Sequence, residues 1–144
     1  MLFFCYKRLF FLFLLPLLVV GSCRHANNNE SESDRLSREV VVEWNKLLLE
    51  LERFTPGYRA PVSARMFAYM SIAAYETALP GNPGYVSTSK YWPACQMPAY
   101  TAQQISFSVP AGLNAAYGFM ARKFFTIAPY ELKKRIDALE EHYA

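Results

Sequence analysis

Between Pro61 and Leu79 the chain reads PVSARMFAYMSIAAYETAL, a helical stretch with almost no polar side. Met66, Phe67, Tyr69, Met70, Ile72, Ala73, Ala74, Tyr75 and Leu79 distribute apolar groups around the whole helix circumference. A helix that is apolar all round is ordinarily buried on all sides. Two or three further helices are therefore required to cover this one. Pro61 suits a first helical turn, and Pro80-Gly81 with the turn-rich PGNPGY ends the segment.

The neighbouring segments supply candidates for that cover. From about Asp34 to Phe54, the residues Leu36, Val40, Leu47, Leu51 and Phe54 recur at helical spacing, and Trp44 and Leu48 widen the stripe. Glu39, Glu43, Lys46, Glu50 and Arg53 form the opposite face, where Lys46–Glu50 and Glu50–Arg53 pairs are expected. Thr55-Pro56-Gly57 then stops the helix, since proline lacks a donor and glycine tolerates positive φ. Between Tyr85 and Phe107 the aromatic residues have no period and Pro93 and Pro98 interrupt. This is a loop whose aromatic residues (Tyr91 and Trp92 among them) should be pinned onto the core, with a short helix at the TAQQ capping box of Thr101–Gln104. A third helix is expected from about 109 to 125, where Ala111, Gly112, Ala115, Ala116 and Gly118 would let a neighbour approach closely. Pro129 opens a fourth, over 129–143, with Leu132, Ile136, Leu139 and Tyr143 on one face.

No stretch shows strand alternation, so the fold class expected is all-α, a partial bundle of about four helices. The fourth stripe meets no stop signal before Ala144. Together with the all-round apolar helix, this gives the expectation of a bundle truncated before its last helices.

The N-terminus carries a different message. Lys7 and Arg8 precede an apolar run of 12 residues, Leu9 to Val20, and small residues follow, the pattern of a secretory signal peptide over residues 1–22. Twelve helical residues span about 18 Å, short of the roughly 30 Å of a bilayer core. Val20-Gly21-Ser22-Cys23 resembles the bacterial lipobox, with valine in the place most often held by leucine. Cys23 is therefore the lipidation candidate, because acyl chains on one cysteine contribute about 0.8 kcal/mol per buried methylene. Residues 23–33, beginning CRHANNNESES, hold no large apolar side chain and read as a flexible tether, leaving 34–144 as the folded body. The destination expected is the bacterial cell envelope, as a membrane-anchored lipoprotein of the outer membrane. The membrane is then the first partner. The absent helices or a partner protein are the second.

Charge excludes one class of partner. The formal net charge is +3, and two of the 15 basic residues are Lys7 and Arg8 in the leader, so the rest is close to neutral and no nucleic acid is expected. The chemistry-bearing residues are few. Of three cysteines, Cys5 lies in the leader and Cys23 is the lipid site, so Cys95 alone remains, read as a small buried hydrophobe. The histidines are His25 in the tether and His142 near the end, neither placed to activate a nucleophile or complete a metal site. Arg59, Arg65 and Glu76 are the only charges embedded in the apolar stretch. Arg65 and Glu76 are separated by about 16 Å of helix, so each needs a partner elsewhere, and satisfied structural groups are expected.

The segment ERFTPGYRAPVSARMFAYMSIAAYETALPG, Glu52 to Gly81, resembles the N-terminal helical region of bacterial vanadium-dependent haloperoxidase relatives, within the type-2 phosphatidic acid phosphatase superfamily. VVEWNKLLLELE before it and VPAGLNAAYGFMARKFFTIAPYE after it are similar to that family's helix order, so the likeness covers about 40–139. The resemblance implies an α-helical bundle. In the complete family fold it also implies phosphoester hydrolysis or halide oxidation at an oxyanion site that holds vanadate or a phosphoryl group. That site is built from Lys and Arg-Pro with six residues between them, from Pro-Ser-Gly-His, and from a later Ser-Arg, His and Asp set. Cations neutralise the oxyanion there, and histidines attack and protonate. Neither histidine motif occurs in this sequence. Lys46 and Arg53 have the right spacing, but Phe54 replaces the proline and both fall on the solvent face of a helix. No catalytic, cofactor-binding or metal residue is carried over. The chain is expected to be inactive alone and to hold no cofactor, vanadate belonging to the complete fold. The alternative is a non-enzymatic lipoprotein acting as a helical binding or assembly module.

Overall fold

The computed structural model describes residues 30–92 and 107–144, and Ser31–Ala144 forms one compact unit. The expected signal peptide and Thr101–Gln104 helix, with Cys23, His25, Cys95, Met97 and Tyr100, lie outside the described residues. Four α-helices make up the body: α1 (Glu32–Phe54), α2 (Ala60–Ala78), α3 (Val109–Phe124) and α4 (Tyr130–His142). Two single 3-10 turns, Leu79–Gly81 and Thr88–Lys90, follow α2. No strand occurs among the described residues, and the protein is all-α.

Each helix boundary has a local cause. The first begins two residues before the expected Asp34, because the Ser31 hydroxyl accepts from the Asp34 amide at 3.1 Å and caps the first turn. Gly57 ends the turn after α1 at φ +89°, a left-handed conformation that glycine adopts without a Cβ penalty. In α2 and α3, prolines Pro61 and Pro110 occupy first-turn positions where no amide donor is needed. Ser108 caps α3.

The helices run up, down, up and down. Contacts tie Glu39 to Tyr143 and Glu50 to Arg135, so α1 and α4 are antiparallel. α3 packs on all three others, with its largest interfaces against α1 and α2. The core is a single cluster: Val40, Trp44, Leu47, Leu48 and Leu51 from α1, Met66, Met70 and Ala74 from α2, Leu113, Tyr117 and Ala121 from α3, and Leu132 and Ile136 from α4. Trp44 stacks on Tyr117 at 6.0 Å and donates its indole N–H to Asn114 Oδ1 at 2.9 Å, while Asn114 Nδ2 donates to the Glu140 carbonyl at 2.7 Å. A buried asparagine thus joins three helices with its polar atoms satisfied.

Small residues of α3 act where a neighbour is close. A Cβ on Gly112 would lie 2.7 Å from the Phe107 ring and 3.0 Å from Thr77 Cγ2, and one on Gly118 would lie 2.6 Å from Glu140 Oε1. Ala111 and Ala115 face solvent instead.

Several expectations are corrected. α2 is not buried on all sides: only Ser63, Met66, Met70, Ala74 and Glu76 are buried, while Val62, Tyr69 and Tyr75 are exposed. The reason is that α3 covers one side of it and neither α1 nor α4 forms a comparable interface with it. Phe54 leaves the α1 stripe for solvent, under the guanidinium of Arg53. Tyr85, Tyr91, Trp92 and Phe107 are exposed rather than pinned onto the core. On α1, Lys46 pairs with Glu43 at 2.6 Å, and Glu50 takes both guanidinium nitrogens of Arg135 from α4, displacing the expected pairs within the helix.

Candidate functional site

Glu76 is the one carboxylate in the core of the described residues, 4% exposed on the last turn of α2. The chain leaves α2 through Leu79–Gly81, turns at Asn82–Tyr85, and folds back so that Val86 to Ser89 lie along the helix they came from. The Asn82 side chain holds the first turn by donating to the Ala78 carbonyl at 2.9 Å. Tyr75 donates its hydroxyl to the Val86 carbonyl at 2.8 Å. Glu76 Oε1 then collects the amide of Thr88 at 2.6 Å, the hydroxyl of Thr88, and the hydroxyl of Ser87 at 3.2 Å.

Three donors on one carboxylate oxygen set its charge state. Burial pushes the Glu76 carboxyl up, and the hydrogen bonds from Thr88 and Ser87 outweigh it, so its pKa lies below the usual carboxylate range. The group is ionised at neutral pH. Its second oxygen, Oε2, is buried without a hydrogen-bond donor. The arrangement is a latch: an anionic hook on a helix, closed by the hydroxyls and amide of a returning strap. The Ser87 and Thr88 hydroxyls spend their protons on the Glu76 carboxylate, and these bonds fasten the strap to α2.

The remaining candidates are dispersed. Arg59 precedes the first residue of α2 and Arg65 lies on its exposed side, so the three charges of the apolar stretch do not meet. Lys46 is engaged by Glu43 and Arg53 lies over the Phe54 ring, 5.4 Å from its centroid, so the two do not converge on an anion. His142, at the end of α4, lines a groove of about 540 Å³ between α1 and α4 with Glu43, Lys46, Glu50 and Arg135, over a floor that includes Leu47 and Leu139. Its ring meets that of Tyr143 edge-on at 4.6 Å. Among the described residues, no three His, Cys, Asp or Glu side chains are grouped as a metal site would require. No helix among them is long and apolar enough to cross a membrane.

No family model, curated protein or solved structure matches the chain. The site must speak for itself. Sequence reasoning singled out Glu76 and its need for a partner, but it missed Ser87 and Thr88. Their only sequence signal is a hydroxyl run, Ser87-Thr88-Ser89, within reach of a reversing PGNPGY turn.

Proposed function

We propose that this chain is a lipid-anchored envelope protein whose body is a helical scaffold resembling the N-terminal part of haloperoxidase and acid phosphatase relatives, and that it performs neither reaction by itself. The observation that carries this reading is the exposed side of α2. Val62 and Tyr69 are about half exposed, Tyr69 reaching α3 at its last residue, Phe124, and Tyr75 stays at the surface beside the strap, which fits a helix meant to receive further helices on that side. The dispersal of Lys46, Arg53 and His142 supports the catalytic half of the reading, since oxyanion chemistry needs several donors aimed at one point.

The test is direct. The purified chain is incubated with a chromogenic phosphomonoester, and separately with vanadate, bromide and peroxide. No turnover above a heat-killed control is expected. Turnover that survives replacement of both His25 and His142 would overturn the reading. Replacing Cys23 by Ala should abolish acyl labelling and release the protein from the membrane fraction. Retention without label would make Leu9–Val20 an uncleaved anchor.

The non-enzymatic assembly module remains the second reading. The Trp44–Asn114–Glu140 network favours it, because that network completes a core within these helices alone. A cooperative, monodisperse monomer in dilute buffer would select it over the scaffold.

A further inference from the structure

The two ends of the body differ in charge and in what stands beside the charge. At one end the C-termini of α1 and α3 meet the N-termini of α2 and α4. Tyr58 donates to the Phe124 carbonyl at 2.8 Å and stacks on Phe125 at 4.8 Å, Ser63 donates to Glu52 at 2.7 Å, and Lys133 donates to the Thr126 carbonyl at 3.3 Å. These contacts place residues 52–63 and 124–134 together. Arg53, Arg59, Arg65, Lys123, Lys133 and Lys134 are all exposed at or near this end, against the carboxylates Glu52 and Glu131. At the opposite end Glu30, Glu32, Asp34, Glu39 and Glu141 outnumber Arg35, Arg38 and Lys90, so the balance is acidic, while Glu140 is neutralised by Arg122 at 2.5 Å.

The basic end is also aromatic. Three of its cations sit over rings: Arg53 over Phe54 at 5.4 Å, Lys123 over Phe119 at 5.5 Å, and Lys134 over Tyr130 at 4.6 Å. The rings are not core residues, since Phe54, Phe119 and Tyr130 are 56%, 58% and 67% exposed. Ile127 protrudes from the loop between α3 and α4. Apolar tips beside flexible cations, carried on several separate elements, match the layered chemistry of a lipid headgroup region. There, cations meet phosphates while aromatic rings enter the boundary with the acyl chains.

We propose that this basic, aromatic end of the body is a lipid-binding face that rests on an anionic bilayer surface, as a membrane contact separate from Cys23. It goes beyond the scaffold reading and needs neither acylation nor a particular family. The field of the body orients it, because the acidic end is repelled by the same surface that attracts this one. Each cation brought to an anionic surface is worth roughly five-fold in partitioning, falling as salt screens it.

The test uses the full chain reconstituted into vesicles that carry a photoactivatable phospholipid. One set is phosphatidylcholine alone, and the other contains phosphatidylglycerol as well. Peptides spanning 53–65 and 119–134 should be cross-linked in the phosphatidylglycerol vesicles, with labelling about tenfold lower in phosphatidylcholine. The triple variant Arg59→Glu, Lys123→Glu, Lys134→Glu should lose that labelling while its helical content is unchanged, since all three side chains are exposed. Phe119→Ser with Tyr130→Ser should lower it without altering the charge. Glu32→Lys with Glu141→Lys, at the other end, should not lower it. In a Cys23→Ala chain the phosphatidylglycerol-dependent labelling should persist, which separates this face from the lipid anchor. Equal labelling in both vesicle types, or indifference to the charge reversal, would overturn the proposal. So would absence of lipid labelling together with capture of an acidic peptide by the same face, which would assign the face to a protein partner.

Discussion

α1 and α2 each bury five residues, yet one is strongly amphipathic and the other apolar nearly all round. In α1 the buried five are Val40, Trp44, Leu47, Leu48 and Leu51, a continuous apolar stripe facing α3. In α2 two of the five are polar, Ser63 and Glu76, while Tyr69 is half exposed and Tyr75 lies at the surface with its hydroxyl on the strap. Hydrophobic composition states what a helix can bury. Its neighbours decide what it does bury. α1 is flanked by α3 and α4, whereas α2 has an extensive interface with α3 alone and a polar strap latched to its last turn.

The sharpest way to test the contrast is to remove the largest buried side chain of α1 and then to crowd the seam between α2 and α3. Trp44→Ala deletes a fully buried indole, its stack on Tyr117 and its hydrogen bond to Asn114, and should cost about 3–5 kcal/mol in a denaturant titration. A loss below about 1 kcal/mol would mean that the core is not organised around α1. The α2–α3 seam comes next. Gly112→Leu places side-chain atoms where Phe107 and Thr77 already sit, and should cost about 1–3 kcal/mol, read as a lower unfolding midpoint.

A smaller effect comes from the latch. Glu76→Gln removes the charge from three hydrogen bonds and should cost about 1–2 kcal/mol at pH 7, with faster amide exchange at Thr88. The pH dependence has a fixed sign. Because the folded pKa of Glu76 is depressed, its contribution is fully present above the unfolded value of about 4.3 and is lost as pH falls through the folded value. The gap between wild type and Glu76→Gln should therefore hold from neutrality down to about pH 5.5, narrow once the pH falls past the unfolded value, and close only below the depressed folded value. A gap that widened on acidification would reverse the assignment of Glu76 as ionised.

The smallest effect is expected on the open side of α2. Tyr69→Thr stays within about 0.5 kcal/mol of wild type, since half the residue is exposed and its ring contact is limited to Phe124 at 6.4 Å. It should also weaken self-association, measured by sedimentation, if the apolar side is what makes the body adhesive.

What the sequence made legible follows the same division. The period of Val40, Trp44, Leu47, Leu48 and Leu51 predicted the buried face of α1, and Leu132 and Ile136 did so for α4. Those helices have one apolar side, so period and burial coincide. α2 has no such asymmetry, and its exposed side could be found only by locating its neighbours. Ion pairs were illegible for a related reason. Glu50 has partners at helical spacing on α1, but the fork of Arg135, 85 residues away, matches its carboxylate with two nitrogens. The Ser31 cap was legible in principle, yet a polar run reads as tether until its hydroxyl is seen to accept from Asp34. The latch was half visible: a buried carboxylate announces a need for donors, but which loop returns to supply them is decided by the turn at Asn82–Tyr85.

The central claim is that α2 presents an uncovered apolar side while its inner side is sealed. Hydroxyl-radical footprinting of the full chain, repeated at decreasing protein concentration, reads both sides of the helix in one experiment. The structure predicts rapid oxidation of Tyr69 and Tyr75 at the lowest concentration, with Met66 and Met70 protected despite the high reactivity of methionine and Trp44 protected alongside them. Tyr69 and Tyr75 protected as strongly as Trp44 in dilute solution, or Met66 and Met70 oxidised with them, would contradict it.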